Sequence, residues 1–222
     1  MSNIWGNNNS IITPDVASTT TNLNTNPFIK KATAEDISRY PDWCFTNTGV
    51  LRETSYTNAE DKSQSFYIFD IKNYLTVRGI STPDVITIAL STNDINRRAD
   101  WLDTCLFSMD VMIRRIREQL PNTKIGIIPA PAWGMGNATF NNRVVEWIEK
   151  CTNTIKTNNY GNVYIVPIWC HINKEWGFPL TSSNLSDTND SKVATISDTI
   201  HLSTYGQEQY GKAIAMFIAN MI

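Results

Sequence analysis

Three short apolar runs, spaced by long amphipathic segments, constrain this chain more than anything else in it. They are Pro83 to Leu90 (PDVITIAL), Lys124 to Pro129 (KIGIIP) and Asn162 to Ile168 (NVYIVPI). A strand with one wet face alternates apolar and polar residues. A near-continuous apolar run suits a strand covered on both faces, which is the habit of parallel sheets flanked by helices. Between and after these runs the apolar residues recur at helical spacing: Asp103 to Leu120, Thr139 to Lys156 and Tyr205 to Met221. Phe66 to Arg78 also reads as a helix, with Phe66, Phe69, Tyr74 and Val77 roughly on one side and Gly79 as its stop. Strand and helix alternation of this kind predicts a three-layer α/β/α domain. Its sheet is mainly parallel, in a flavodoxin-like topology with right-handed crossovers.

The expected organisation is a single domain. Residues 66–222 form its α/β body, and residues 1–65 form an irregular segment packed on it. Residues 1–26 are rich in Asn, Thr and Ser and poor in core material, although Ile4, Trp5, Ile11 and Ile12 can pin them to a surface. Residues 27–65 continue irregularly, a length of loop that usually signals a functional insertion or a missing context. With 222 residues, 41% of them hydrophobic, the chain can bury a large core. A net charge of -2 and only 18% charged residues give no footprint for nucleic acid or for an acidic membrane surface. Residues 1–12 lack the basic start and apolar centre of a signal peptide. No apolar run approaches the ~18 residues of a spanning helix. These readings leave the compartment open, the bacterial cytoplasm being one setting that accommodates them. Cys44, Cys105, Cys151 and Cys170 form no CxxC pair and fit no zinc spacing, so packed, reduced thiols are expected, with no metal or organic cofactor.

In an open parallel sheet, sites lie beyond the carboxyl ends of the strands. Three loops leave those ends here: Ser91 to Asp100, Ala130 to Ala138 and Trp169 to His201. The last delivers Asp198 and His201, three residues apart and just before the C-terminal helix. On a turn, that spacing lets a carboxylate meet one imidazole nitrogen and leaves the other facing outward. This is the base-and-orienter half of a nucleophilic triad. The bland alternative is a helix-entry turn in which Asp caps the helix. The first loop places Asn93 on the same rim; its bland reading is an ordinary turn. Trp133, Trp169, Trp176 and Phe178 lie in loops above the rim, where they either line a sugar- or acyl-binding cleft or cover a core edge. His171 reads as a packed strand-end histidine rather than a metal ligand. Gly134-Met135-Gly136 has neither the Lys nor the third Gly of a phosphate loop.

Two blocks carry a resemblance. Ser91-Thr92-Asn93-Asp94 after a buried strand is similar to the G-x-N-D block of SGNH (GDSL-type) hydrolases. Asp198-Thr199-Ile200-His201, with Gly206 behind it, is similar to their D-x-x-H block. The likeness covers about residues 66–222. It implies ester hydrolysis through a serine acyl-enzyme, with a small ester or an acetylated glycan as substrate. By this resemblance Asp198 orients His201, His201 is the base, and Asn93 donates to the oxyanion. Gly6, in Trp5-Gly6-Asn7, stands where the second block would put its oxyanion-hole glycine. Ser91 replaces the usual Gly of the third block. The first block, a strand entering G-D-S with the nucleophilic serine, has no counterpart in the chain. The expectation is an enzyme incomplete in this chain, whose serine comes from a separate segment or chain. Asn26-Pro27-Phe28 and the FDIKNYL run resemble SGNH domains encoded by bacteriophages. The rival is an inactive SGNH-like domain kept for structure or glycan binding, for example in a phage particle. A nucleotide-binding flavodoxin-like domain ranks last, for want of a phosphate loop.

Overall fold

The computed structural model describes residues 28–46, 66–89, 95, 101–130, 138–172, 177–184, 192–196 and 201–222. The chain divides into two compact units that interleave in sequence. One comprises Met1–Asp84 with Asp100–Thr123, the other Val85–Ala99 with Lys124–Ile222.

The first unit is built on a small antiparallel sheet. Strands β1 (Ile29–Lys31) and β2 (Phe45–Thr46) flank β3 (Phe66–Phe69), with Ile29 opposite Phe69 and Phe45 opposite Tyr67. All four residues of β3 are buried. Helix α1 (Ala34–Arg39) lies between β1 and β2 and opens with a capping box. The Thr33 hydroxyl accepts from the Asp36 N–H, and the Asp36 carboxylate accepts from the Thr33 N–H. Helix α2 (Ile71–Arg78) follows β3, and Gly79 ends it at φ 63°. Helix α3 (Trp101–Gln119) buries Cys105, Met109, Met112, Ile113 and Ile116.

Two expectations fail in this unit. The Phe66-to-Arg78 helix is in fact β3 followed by α2. Phe66-Tyr67-Ile68-Phe69 consists of aromatic and β-branched residues that fill a strand covered on both faces. Asp70 then breaks the run, its carboxylate accepting from the Asn73 N–H at 2.9 Å as the cap of α2. The helical spacing of Val77 was coincidental, since it is 63% exposed. Residues 28–46, read as irregular, hold two strands, a helix and a 3₁₀ turn at Pro41–Trp43.

The second unit contains the parallel sheet that the apolar runs predict. Strands β4 (Val85–Ile88), β5 (Lys124–Ile127) and β6 (Val163–Ile165) pair in that order, with Ile88 opposite Ile127 and Ile127 opposite Ile165. Among the described residues β4 is an edge strand. That explains why Thr87 is exposed although the run reads as doubly buried. Helix α4 (Ala138–Thr157) connects β5 to β6 and buries Phe140, Val144, Trp147 and Cys151. Val166, Ile168, Ile172 and Phe178 form a core cluster with Ala213 and Phe217 of the terminal helix α5 (Thr204–Met221). Within the stretch read as one loop, 169–201, the chain makes a 3₁₀ turn (Ile168–Cys170). It then forms an antiparallel hairpin of β7 (Leu180–Asn184) and β8 (Lys192–Ile196). Its strands are rich in Ser and Thr, without the apolar run that marked the parallel strands.

Candidate active site

The best-defined part of the candidate site is the entry to α5. Ser203 caps the helix: its hydroxyl accepts from the Gly206 N–H at 3.1 Å, and its carbonyl accepts from the Gln207 N–H at 2.8 Å. The Ser203 N–H donates to the carbonyl of Gly177 at 2.9 Å. Gln207 also donates its side-chain amide to the Leu202 carbonyl at 3.1 Å. Leu202 packs against the core cluster that contains Phe178. A methyl at position 206 would stand 2.0 Å from the Gly177 oxygen, so only glycine fits there.

His201 lies two residues before this cap, with its side chain exposed. An imidazole that reaches solvent from a fixed turn can accept a proton from a bound nucleophile and return it to a leaving group. Trp169 sits in the 3₁₀ turn just beyond the carboxyl end of β6 and is half-buried. The other residues singled out from the sequence, Asp198, Asn93, Gly6, Trp133 and Trp176, lie outside the described residues. The described residues on either side of that stretch are held by main-chain pairing. Ile196 pairs with Leu180, and Ser203 bonds to Gly177.

Phe178 is 1% exposed and belongs to the core, in keeping with the second of the two readings given for the loop aromatics. Two side chains, His171 and Cys170, differ from expectation. His171 is exposed rather than packed, because the 3₁₀ turn carries it past the end of the core. Cys170, beside it, is the exposed thiol of the four; Cys44, Cys105 and Cys151 are buried. Burial pushes the Cys151 thiol up to about 12. Among the described residues, no group of three or more His, Cys, Asp or Glu is placed to hold a metal.

The bond between Ser203 and Gly177 was not foreseeable from either residue. The partners are far apart in sequence, and the hairpin that brings them together has no strong apolar signal.

The family model of the GDSL-like Lipase/Acylhydrolase family matches residues 57–209. The chain belongs to this family. Its α/β fold is thus of the SGNH hydrolase type, in keeping with the helices and the three-stranded parallel sheet, and its substrates are esters. The matched span of this GDSL-like acylhydrolase includes Asn93, Asp198 and His201 and leaves out Gly6. No curated protein matches the chain. Among the described residues, no helix is long and apolar enough to cross a membrane.

Proposed function

We propose that this chain supplies the base and the oxyanion donor of an SGNH-type carbohydrate esterase, and that the attacking serine comes from a separate segment. The observation that carries the reading is His201, held exposed at the fixed entry to α5. His201 takes the serine proton on attack and returns it to the leaving alcohol, while Asp198 holds the imidazole in the productive tautomer. Asn93 donates its amide to the carbonyl oxygen as that oxygen becomes an anion; one such donor is worth about 3 kcal/mol. Gly6 completes the oxyanion hole, and Trp133 and Trp169 line the cleft for an acetylated sugar. The edge position of β4 among the described residues supports a missing neighbour strand, because strands of a parallel sheet are ordinarily interior. By this reading residues 66–222 make up a three-layer α/β/α domain of flavodoxin-like topology, set in a phage particle or in the bacterial cytoplasm.

The test is to label the chain with a fluorophosphonate probe and to assay p-nitrophenyl acetate, with and without the polypeptide encoded immediately upstream. Labelling of the upstream segment, with hydrolysis that vanishes in His201→Ala, is the expected result. Absence of labelling and hydrolysis in both mixtures rejects the reading in favour of a non-catalytic, glycan-binding domain.

A further inference from the structure

Residues of β1, α1 and the end of α3 enclose a polar cavity of about 330 Å³, and every residue that lines it belongs to the first unit. Its charged lining is Lys30, Arg39 and Arg115 against Glu35, Asp36 and Glu118, three cations and three anions. Most of these charges already answer one another. Lys30 stands 3.2 Å from the Asp36 carboxylate. Glu118 takes Arg39 on one oxygen and Arg115 on the other, each at 2.8 Å. The Tyr40 hydroxyl also donates to Glu118, and its ring, stacked on Trp43 at 4.7 Å, lies 4.9 Å from the Arg115 guanidinium. The walls are preorganised. Arg115 is 3% exposed and donates from Nε to the Phe69 carbonyl, and the Gln119 Oε1 accepts from the Ile71 N–H at 2.9 Å.

This network does not use every polar group of the lining. Arg115 employs Nε and Nη1, which leaves the N–H groups of Nη2 without a hydrogen-bond partner among the described residues. The amide of Gln119 likewise keeps its Nε2 donors. Asp36 engages Thr33 and Lys30 through Oδ2 and keeps Oδ1, and Glu35 makes no ion pair among the described residues. A ligand here has to donate and accept at once, and without net charge. An anion would have to draw Arg39 and Arg115 away from Glu118. A cation would meet Lys30 and both arginines, and a zwitterion would have to break ion pairs at both of its poles. Hydroxyl groups fit, since each carries one donor and two acceptor lone pairs. We infer that the cavity is a saccharide-binding site, in which sugar hydroxyls donate to Asp36 and Glu35 and accept from Arg115 and Gln119. Its volume is at the small end of ligand sites, which suits one or two sugar rings. Trp43 covers a face of the Tyr40 ring, so recognition rests on hydrogen bonds to charged and amide groups rather than on stacking. The site stands apart from the esterase reading, because His201 belongs to the second unit.

The experiment titrates the full-length, ¹⁵N-labelled chain with N-acetylglucosamine, glucose and galactose, and separately with inorganic phosphate and with glycine. The side-chain amide peaks of Gln119 are assigned with Gln119→Glu. At least one of the sugars should move these peaks to saturation, in His201→Ala as in the wild type, while phosphate and glycine leave them in place. Gln119→Glu keeps an acceptor for the Ile71 N–H but removes the donor to the cavity. By calorimetry it should bind that sugar about threefold to tenfold more weakly, the equivalent of one neutral hydrogen bond, with its Tm unchanged. Glu35→Gln, at an exposed position, should weaken binding in the same way. Gln119 peaks that none of the three sugars moves overturn the inference, and so do peaks that phosphate or glycine brings to saturation. Equal affinity in the wild type and both variants overturns it as well. A sugar response lost in His201→Ala places the sugar at His201 instead and also overturns it. Failure of ester hydrolysis, by contrast, bears only on the reading of His201 as the base.

Discussion

Phe217 lies so close to Gly126 that an ideal Cβ on the glycine would sit 2.5 Å from the ring, with Val166 a further 3.0 Å neighbour. The terminal helix α5 thus seats an aromatic ring directly on the backbone of β5, and Tyr164 of β6 meets the same ring edge-on at 6.1 Å. Replacing a strand glycine with alanine ordinarily recovers about 0.5–1 kcal/mol of backbone entropy. Overpacking a filled site costs about 1–3 kcal/mol. Because Phe217 is held in the core cluster, the steric term wins. Gly126→Ala is expected to destabilise the protein by about 1–2 kcal/mol, read by urea unfolding. Adding Phe217→Leu should recover part of that loss, since the two changes share one contact; strictly additive losses would refute the packing account.

The Asp36 carboxylate predicts a loss of stability in acid. Partial burial pushes its pKa up, but the hydrogen bonds from the Thr33 N–H and hydroxyl, together with Lys30, outweigh burial and hold it below the ordinary 3.8. A depressed folded value means that the unfolded chain takes up the proton first. The stabilisation is therefore present above pH ~4 and is lost as pH falls through the folded value. Asp36→Asn should flatten the stability profile below pH ~4. Thr33→Ala, which removes the cap of α1, should cost about 1 kcal/mol at pH 7. An acid limb identical in Asp36→Asn and wild type would show that other carboxylates govern it.

Thiol chemistry should separate the four cysteines. Cys170 is exposed, so an aromatic disulfide reagent should modify it in the folded protein, and Cys170→Ser should abolish that fast phase. Cys44, Cys105 and Cys151 should react only on unfolding. Burial raises the Cys151 thiol to about 12. Its contribution to stability is full below the ordinary thiol value and declines as pH climbs from there towards 12. The slope approaches about 1.4 kcal/mol per pH unit. Cys151→Ala should reduce that alkaline slope; an unchanged slope would remove Cys151 from the account.

Arg115 offers a test of the first unit. It is 3% exposed, donates from Nε to the Phe69 carbonyl at 3.1 Å and pairs with Glu118 at 2.8 Å. Burial lowers its pKa, and the nearby Asp70 opposes that shift. Arg115→Ala would take a donor from the Phe69 carbonyl, while Glu118 keeps Arg39 and Tyr40, and should cost about 1–3 kcal/mol. Arg115→Met, which refills the volume, should cost less. Equal losses in the two variants would show that the polar partners, not packing, set the penalty.

The parallel sheet was legible because its strands are continuous apolar runs, and the helices α3, α4 and α5 because their apolar residues recur at helical spacing. The edge position of β4 was hidden, since a hydrophobic run reads the same whether or not a neighbour covers it. β3 was misread because the three-residue spacing of Phe66 and Phe69 matches a helix face while a strand covered on both faces shows no alternation, and only the capping role of Asp70 decides between them. At the candidate site, the sequence placed His201 just before α5, and it stands exposed there, while Asp198 lies outside the described residues. The bond from the Ser203 N–H to the Gly177 carbonyl could not be read, because its partners are joined by folding rather than by sequence.

The hairpin between Gly177 and Ser203 has a consequence for how such a chain can change. Because its two ends meet at one hydrogen bond, the stretch between them can grow, shrink or alter its residues without shifting the helix that follows. Selection can thus remodel the stretch between Gly177 and Ser203 while α5 keeps its start, so that the length of one and the packing of the other are free to evolve separately.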